Sequence, residues 1–275
     1  MKQLFTWLRP KRKSMLFVTT AADISSDLFF DPEAAKRIDV VLARYSDTET
    51  ALRQLLGMQK FDFIYLRDPF NEGQYSLEMI EKSVRLIAEA QPQARFIDQA
   101  KTIEDLLFED KFAQYQLLQG FMPETELLRE PSQFEPGKNI IKKRISARAR
   151  DIAFAYDPTY ANGDYIVQLL LSIQTEYRVY SIGGEVIKKG SVKSSKQTDT
   201  KVKVIAVVDI PENVRIFANS IIKRMPQIDL VGFDIAETTE GALMLIEANR
   251  SCQFSTFTKL SGINLAKILV DKLLG

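Results

Sequence analysis

From Met15 onward, short apolar runs alternate with stretches whose apolar residues recur at helical spacing. The runs are MLFVT (15–19), DVVLARY (39–45), FDFIYLR (61–67) and ARFID (94–98), and the helical stretches between them include DTETALRQLLGM (47–58) and SLEMIEKSVRLIAEA (76–90). Strand and helix alternating at this interval predict right-handed crossovers and a parallel sheet. A small α/β domain is therefore expected over about residues 15–100. No glycine-rich turn follows its first strand, so a Rossmann cofactor site is unsupported. Further on, the pattern predicts a helix over 109–120 and strands over 139–142, 152–156 and 164–171. An alternating run, 176–180, then enters the hairpin turn Ile182-Gly183-Gly184-Glu185. The stretch 188–203, KKGSVKSSKQTDTKVK, is lysine-rich and short of large apolar residues, and reads as a loop; 211–224 reads as a crossover helix.

The most informative stretch is 230–250, LVGFDIAETTEGALMLIEANR. It reads as a β-hairpin with arms 230–235 and 242–246 and a turn at 237–241. Strand side chains alternate faces, so Glu247 and Asn249 point the same way, and a turn centred near Glu240 brings Asp234 roughly opposite them. Three hard oxygen donors then share one face, a set that suits magnesium. The plainer alternative is an edge hairpin whose acids face solvent. Alternation also puts Glu176 and Arg178 on one face, where both reach a single ligand or form a surface ion pair. Arg67 ends the third strand, at the kind of position where open sheets bind ligands, and a surface arginine beside Asp68 is the equal alternative.

Composition narrows the chemistry. The chain has 275 residues, 45% hydrophobic and 27% charged, enough for one large core or two to three small ones. Its net charge of +1 gives no global reason to expect nucleic acid or membrane as a partner. The single cysteine, Cys252, excludes an internal disulfide framework, fits a reducing compartment and reads as a small buried side chain. The absence of histidine removes Ser-His and Cys-His nucleophile systems and most zinc sites. At the N-terminus the basic cluster Arg9, Lys11, Arg12 and Lys13 follows the first apolar residues, the wrong order for a signal peptide, and reads as a solvated arm. No run approaches the length of a membrane span. A cytoplasmic protein is expected.

Asp234, then Glu247-x-Asn249, then Ser261-Gly262-Ile263-Asn264-Leu265-Ala266 resembles the ATP-grasp superfamily. Its signature ends in an aspartate on one strand and an E-x-N pair on the next, and runs on into S/TG-[IV]-N-[IL]-A. The proline and glycine that often follow E-x-N are absent here, where Ser251, Cys252, Gln253 and Phe254 stand. The chain is similar to the carboxylate-amine ligase branch of RimK and glutathione synthetase type. The resemblance implies an α/β fold, α+β in its C-terminal part: an ATP-grasp domain at 101–275, with a lid at about 110–165, preceded by a small parallel-sheet domain at 1–100. It implies that Lys111 and Lys142, with Lys143 the alternative to the latter, reach the nucleotide phosphates. Gln168, Leu169 and Leu170 form the hinge on which adenine sits, Glu176 holds ribose, and Arg178 faces the reacting phosphate as the catalytic residue. Asp234, Glu247 and Asn249 carry two Mg2+ ions, or Mn2+ in their place. Where the family has a glycine-rich phosphate loop this chain has 146–151, SARARD, without glycine, so Arg148 and Arg150 are expected to supply by side chain the contacts that backbone amides otherwise make. The implied reaction is ATP-dependent joining of a carboxylate to an amine through an acyl phosphate. The substrate is a small molecule or peptide, the lysine-rich loop favours an acidic one, and homo-oligomerisation is left open. Two rival readings are a nucleotide-binding scaffold without turnover and an ATP-grasp phosphotransferase.

Overall fold

The computed structural model describes residues 12–20, 23, 25–67, 69–70, 75–146, 151–193, 204–225 and 227–275. Among them the strands form three sheets. In the first, β1 (Ser14–Thr19), β2 (Asp39–Arg44), β3 (Phe63–Leu66) and β4 (Arg95–Phe96) run parallel in the order β2-β1-β3-β4. This is the sheet the strand-helix alternation predicts. Between its strands lie α1 (Pro32–Ala35), α2 (Glu49–Met58) and α3 (Leu77–Ala90). The side chains of Thr48 and Ser76 accept hydrogen bonds from Ala51 N and Met79 N, satisfying free N–H groups at the starts of α2 and α3.

Period-two alternation gives the first sheet two apolar faces. Leu16, Val18, Ile64 and Leu66 meet Leu52, Leu56, Ile80, Val84 and Ile87 of α2 and α3. On the other face Met15, Phe17, Phe63 and Tyr65 pack against Tyr180, Ile182, Leu230, Phe254 and Phe257, which come from distant parts of the chain. The predicted first unit thus shares one of its two cores with the rest of the molecule.

The short helices α4 (Ile103–Leu106) and α5 (Lys111–Leu117) lead to the second sheet, of β5 (Thr125–Leu127), β6 (Asn139–Lys143), β7 (Ile152–Ala153) and β8 (Tyr165–Leu169). It is antiparallel, in the order β5-β8-β6-β7, over a small core of Leu128, Phe134, Ile141 and Val167. The third sheet holds β9 (Ile173–Ile182), β10 (Glu185–Val186), β11 (Lys189–Lys193), β12 (Val204–Asp209), β13 (Leu230–Thr238) and β14 (Leu243–Asn249). Its order is β12-β11-β9-β13-β14, with β10 paired to β9. One face packs on α6 (Glu212–Ile222) through Val179, Phe233, Ile235 and Leu245 against Val214, Ala218 and Ile221. The chain closes with α7 (Ser255–Ser261), ended by left-handed Gly262, and α8 (Leu265–Leu274), capped by the Asn264 side chain.

Two expectations are corrected. The first residues of the lysine-rich stretch are not loop but β11, paired on both sides by β9 and β12. At Gly190 the sheet leaves no room for a side chain: a Cβ there would lie 2.4 Å from Arg178 O and from Ile210 Cδ1. Residues 194–203 lie outside the described residues. Arg67 is not on the surface. It is fully buried, its Nε 2.7 Å from Asp23 Oδ2 and its guanidinium over the Phe254 ring, and it ties the end of β3 to the segment that follows β14.

Candidate functional site

The face of the third sheet opposite α6 is polar along one half. Register alone assembles it: Glu176 lies opposite Lys193 and Arg178 opposite Ser191 across β9 and β11, Arg178 opposite Asp234 across β9 and β13, and Asp234 opposite Glu247 across β13 and β14. Directly opposed residues share a face, so Glu176, Arg178, Lys193, Asp234 and Glu247 stand side by side. Asn249 follows on the same face, opposite Gly232.

A β-bulge makes this possible. From the turn inward, Leu243, Met244 and Leu245 pair with Glu237, Ala236 and Ile235, but the next pair is Glu247 with Asp234, and Ile246 is the extra residue. In an unbroken ladder Ile246 would face Asp234, and Glu247 and Asn249 would turn to the helix side. The extra residue shifts the parity of β14 by one.

Asp234 is buried, and its two oxygens hold three donors. Its Oδ1 accepts from Arg178 Nε and meets Lys193 Nζ, and Arg178 Nη2 donates to Oδ2 at 2.7 Å. Burial works against its charge, yet Arg178 first and Lys193 second hold its carboxyl below the usual aspartate range. Burial likewise opposes the Arg178 guanidinium, and Asp234 outweighs it. Gly232 leaves room for this fork: a Cβ there would meet Cys252 Cβ at 2.7 Å and Arg178 Nη1 at 3.3 Å. Lys193 Nζ also lies 2.9 Å from Glu176 Oε1. Glu176 and Arg178 therefore do share a face, but each pairs elsewhere and they form no surface ion pair with one another.

Two more lysines face this group from the neighbouring elements. Lys111, first residue of α5, donates to Ser146 O at 2.8 Å, and its Nζ is 3.4 Å from Glu247 Oε1. Lys142 on β6 donates to Gln168 Oε1 at 2.7 Å, and the Gln168 amide is oriented by its own donation to Thr125 Oγ1 at 2.8 Å. Burial drives the Lys142 ammonium down to about 8, against the pull of Glu247, Glu176 and Asp234, and Lys111 adds to the depression. The carboxylate and lysine clusters thus sense one another across the gap between the second and third sheets.

The residues expected to form the hinge, Gln168, Leu169 and Leu170, sit where β8 leaves the second sheet. The Leu169 side chain is exposed, and the N–H groups of Leu169 and Leu170 donate to Glu124 O and Lys138 O at 2.9 and 2.8 Å. Arg148 and Arg150 lie outside the described residues. The structure adds two groups that the sequence did not single out. Lys193 is one lysine among many in its stretch, distinguished only by the register of β11. Glu109 has its carboxyl raised by burial, lowered by Arg250 and raised again by Glu247, and it accepts from Ser251 N at 3.0 Å. Cys252 is buried, and burial pushes its thiol up to about 11, as suits a packing residue. Among the described residues no helix is long and apolar enough to cross a membrane.

No protein-family model matches the chain, and no curated protein matches it in sequence. Solved structures match it over nearly its whole length. The ATP-grasp ligase PsnB, complexed with a phosphomimetic variant of its minimal precursor, Mg and ADP, aligns at a TM-score of 0.70 and 16% identity, over 95% of this chain and 98% of that one. A RimK domain ATP-grasp protein from Sphaerobacter thermophilus aligns at 0.64 and 17% identity, over 96% and 100%. The macrocyclase MdnC from Microcystis aeruginosa, bound with the precursor peptide MdnA, aligns at 0.64 and 13% identity, over 95% and 99%. The chain has the ATP-grasp fold.

Proposed function

We propose that the protein is an ATP- and Mg2+-dependent ligase that activates a carboxylate as its acyl phosphate and joins it to an amine, with a peptide as the substrate class. One observation carries this: a bulged hairpin brings Asp234, Glu247 and Asn249 to one sheet face, and four cationic side chains, Arg178, Lys193, Lys111 and Lys142, converge on it. Fixed positive charge around hard oxygen donors is what phosphoryl transfer needs. The peptide is drawn from PsnB and MdnC, both bound to precursor peptides.

The donor set fits a divalent ion at Glu247 and Asn249. The Asn249 Nδ2 is buried without a hydrogen-bond partner; with the amide flipped, its oxygen takes that place, where a cation would satisfy it. Among the described residues no group of three or more acidic or cysteine side chains converges to hold a metal unaided, so phosphate oxygens and water would complete the shell, the usual habit of magnesium. When bound, magnesium supplies charge neutralisation at the transferred phosphoryl group. Lys111 and Lys142 reach the phosphates from the α5 and β6 side. Arg178, fixed in orientation by Asp234, presents its remaining N–H to charge developing beside β9. The substrate carboxylate attacks the γ-phosphorus, ADP departs, and the amine then displaces phosphate with loss of a proton.

A second reading, a nucleotide-binding scaffold without turnover, is favoured by the three donors already on Asp234. Purified protein with ATP, Mg2+ and pools of amino acids and peptides separates the readings. ADP with an amide product supports the ligase, a phosphorylated product the phosphotransferase, and nucleotide binding without ADP the scaffold. Glu247→Gln should weaken Mg2+-dependent nucleotide binding at least about tenfold, since it removes a charged ligand. Unchanged Mg2+ dependence in that variant removes Glu247 from the metal site.

A further inference from the structure

Lys193 ends β11 with its ammonium buried between carboxylates of two other strands, 2.9 Å from Glu176 Oε1 and in contact with Asp234 Oδ1. That Asp234 oxygen already accepts from Arg178 Nε, and Arg178 Nη2 occupies Oδ2. Two anions and two cations therefore sum to zero within one buried patch. Together with the Arg178 guanidinium, an ammonium bridging two carboxylates supplies the two positive charges that a divalent ion would bring there. A divalent ion at Asp234 finds both oxygens engaged, Oδ1 by two donors and Oδ2 by one, so it either adds its charge beside two buried cations or drives a buried lysine from both of its partners, and breaking buried pairs is costly. The Glu247 end differs. Lys111 stands off at 3.4 Å, and the Asn249 amide nitrogen lacks a partner.

We propose that Lys193 is a resident counter-cation standing in for a divalent ion at Asp234, so that the nucleotide-loaded site takes up one divalent ion, at Glu247 and Asn249, rather than two. The inference rests on the nucleotide-binding part of the function proposed above. Lys193 supplies charge without exchangeable ligands, so it holds Asp234 and Glu176 in place and leaves metal chemistry to the other end of the site.

The test counts ions. Mn2+ is titrated into the full chain with AMPPNP, the chain in excess so that all nucleotide is bound, and free Mn2+ is read from its paramagnetic resonance signal while nucleotide binding is followed calorimetrically. One Mn2+ per bound nucleotide is expected for the unaltered chain. Lys193→Met leaves Asp234 and Glu176 with one uncompensated charge and should gain a second ion, bound at least about tenfold more tightly than any second ion of the unaltered chain. Lys193→Gln replaces it if the Met variant fails to fold by circular dichroism. Two ions in the unaltered chain overturn the inference and leave the ligase reading standing, and so does a folded variant that gains none. If neither variant folds, the count in the unaltered chain decides. Absence of AMPPNP binding overturns both.

Discussion

Lys142 carries a charge that its surroundings weaken. Burial has brought it down to about 8, so near and above that pH the free protein holds it partly neutral. Phosphate beside it favours the ammonium, so the complex binds more protons than the free protein, and linkage makes nucleotide affinity fall as pH rises through about 8. Calorimetry at about pH 8.3, in buffers of different ionisation enthalpy, should record net proton uptake on binding, and Lys142→Met should abolish it. Uptake that persists in the variant assigns the proton elsewhere. Asp234 gives a stability prediction. Asp234→Ala leaves Arg178 and Lys193 buried beside an empty position and should destabilise the fold by roughly 3–5 kcal/mol in urea unfolding. A loss below about 1 kcal/mol would mean that the pair is solvated in solution.

At the scale of the element, the hairpin of β13 and β14 depends on a single extra residue. Deleting Ile246 places Glu247 directly after Leu245, opposite Asp234 in a regular ladder, so Glu247 and Asn249 keep their face. Inserting one alanine between Ile246 and Glu247 lets β14 run as a regular ladder with Ile246 opposite Asp234 and Glu247 opposite Gly232, on the same face but two residues further along β13. The deletion should keep metal-dependent nucleotide binding within several-fold, and the insertion should weaken it at least about tenfold while circular dichroism still reports a folded chain. If both variants bind alike, the pairing of Glu247 with Asp234 is not what selects the site. The lysine-rich stretch carries the same lesson. Its composition says loop, yet the close approach of Arg178 O and Ile210 selects glycine at position 190 of a strand paired on both sides.

At the scale of the whole molecule, the first and third sheets are joined by a buried polar clamp as well as by a shared apolar core. Asp98, just beyond β4, accepts from Asp229 N at 2.7 Å and Leu230 N at 3.2 Å, and its own N–H donates to Asp229 Oδ2 at 2.8 Å. Arg250, fully buried, pairs with Asp98 at 3.4 Å and donates to Leu66 O at 2.9 Å. Burial pushes the Asp98 carboxyl up to about 6, Arg250 pulling it down and Asp229 adding to the rise. A carboxyl raised in the fold binds its proton more tightly folded than unfolded, so its contribution to stability is greatest below the ordinary aspartate value and falls as pH climbs towards about 6. Between about pH 4.5 and 6.5 the melting temperature should fall with rising pH more steeply than in Asp98→Asn. Parallel curves would show that Asp98 is ionised across the range.

The sequence by itself determined the strand-helix order of the first sheet, the hairpin at 230–250 and the residue types that meet there, because period-two and period-3.6 patterns report local burial directly. It also placed Glu176 and Arg178 on one face. Their partners it left open: that Arg178 closes on Asp234, that Lys193 turns inward, and that Arg67 and Arg250 are buried all follow from strand order and register between segments far apart in the chain. A charged side chain looks the same in sequence whether it ends in water or against a carboxylate. Only the packing of the third sheet against the first and second decides which lose their water, and with it which charges must find each other.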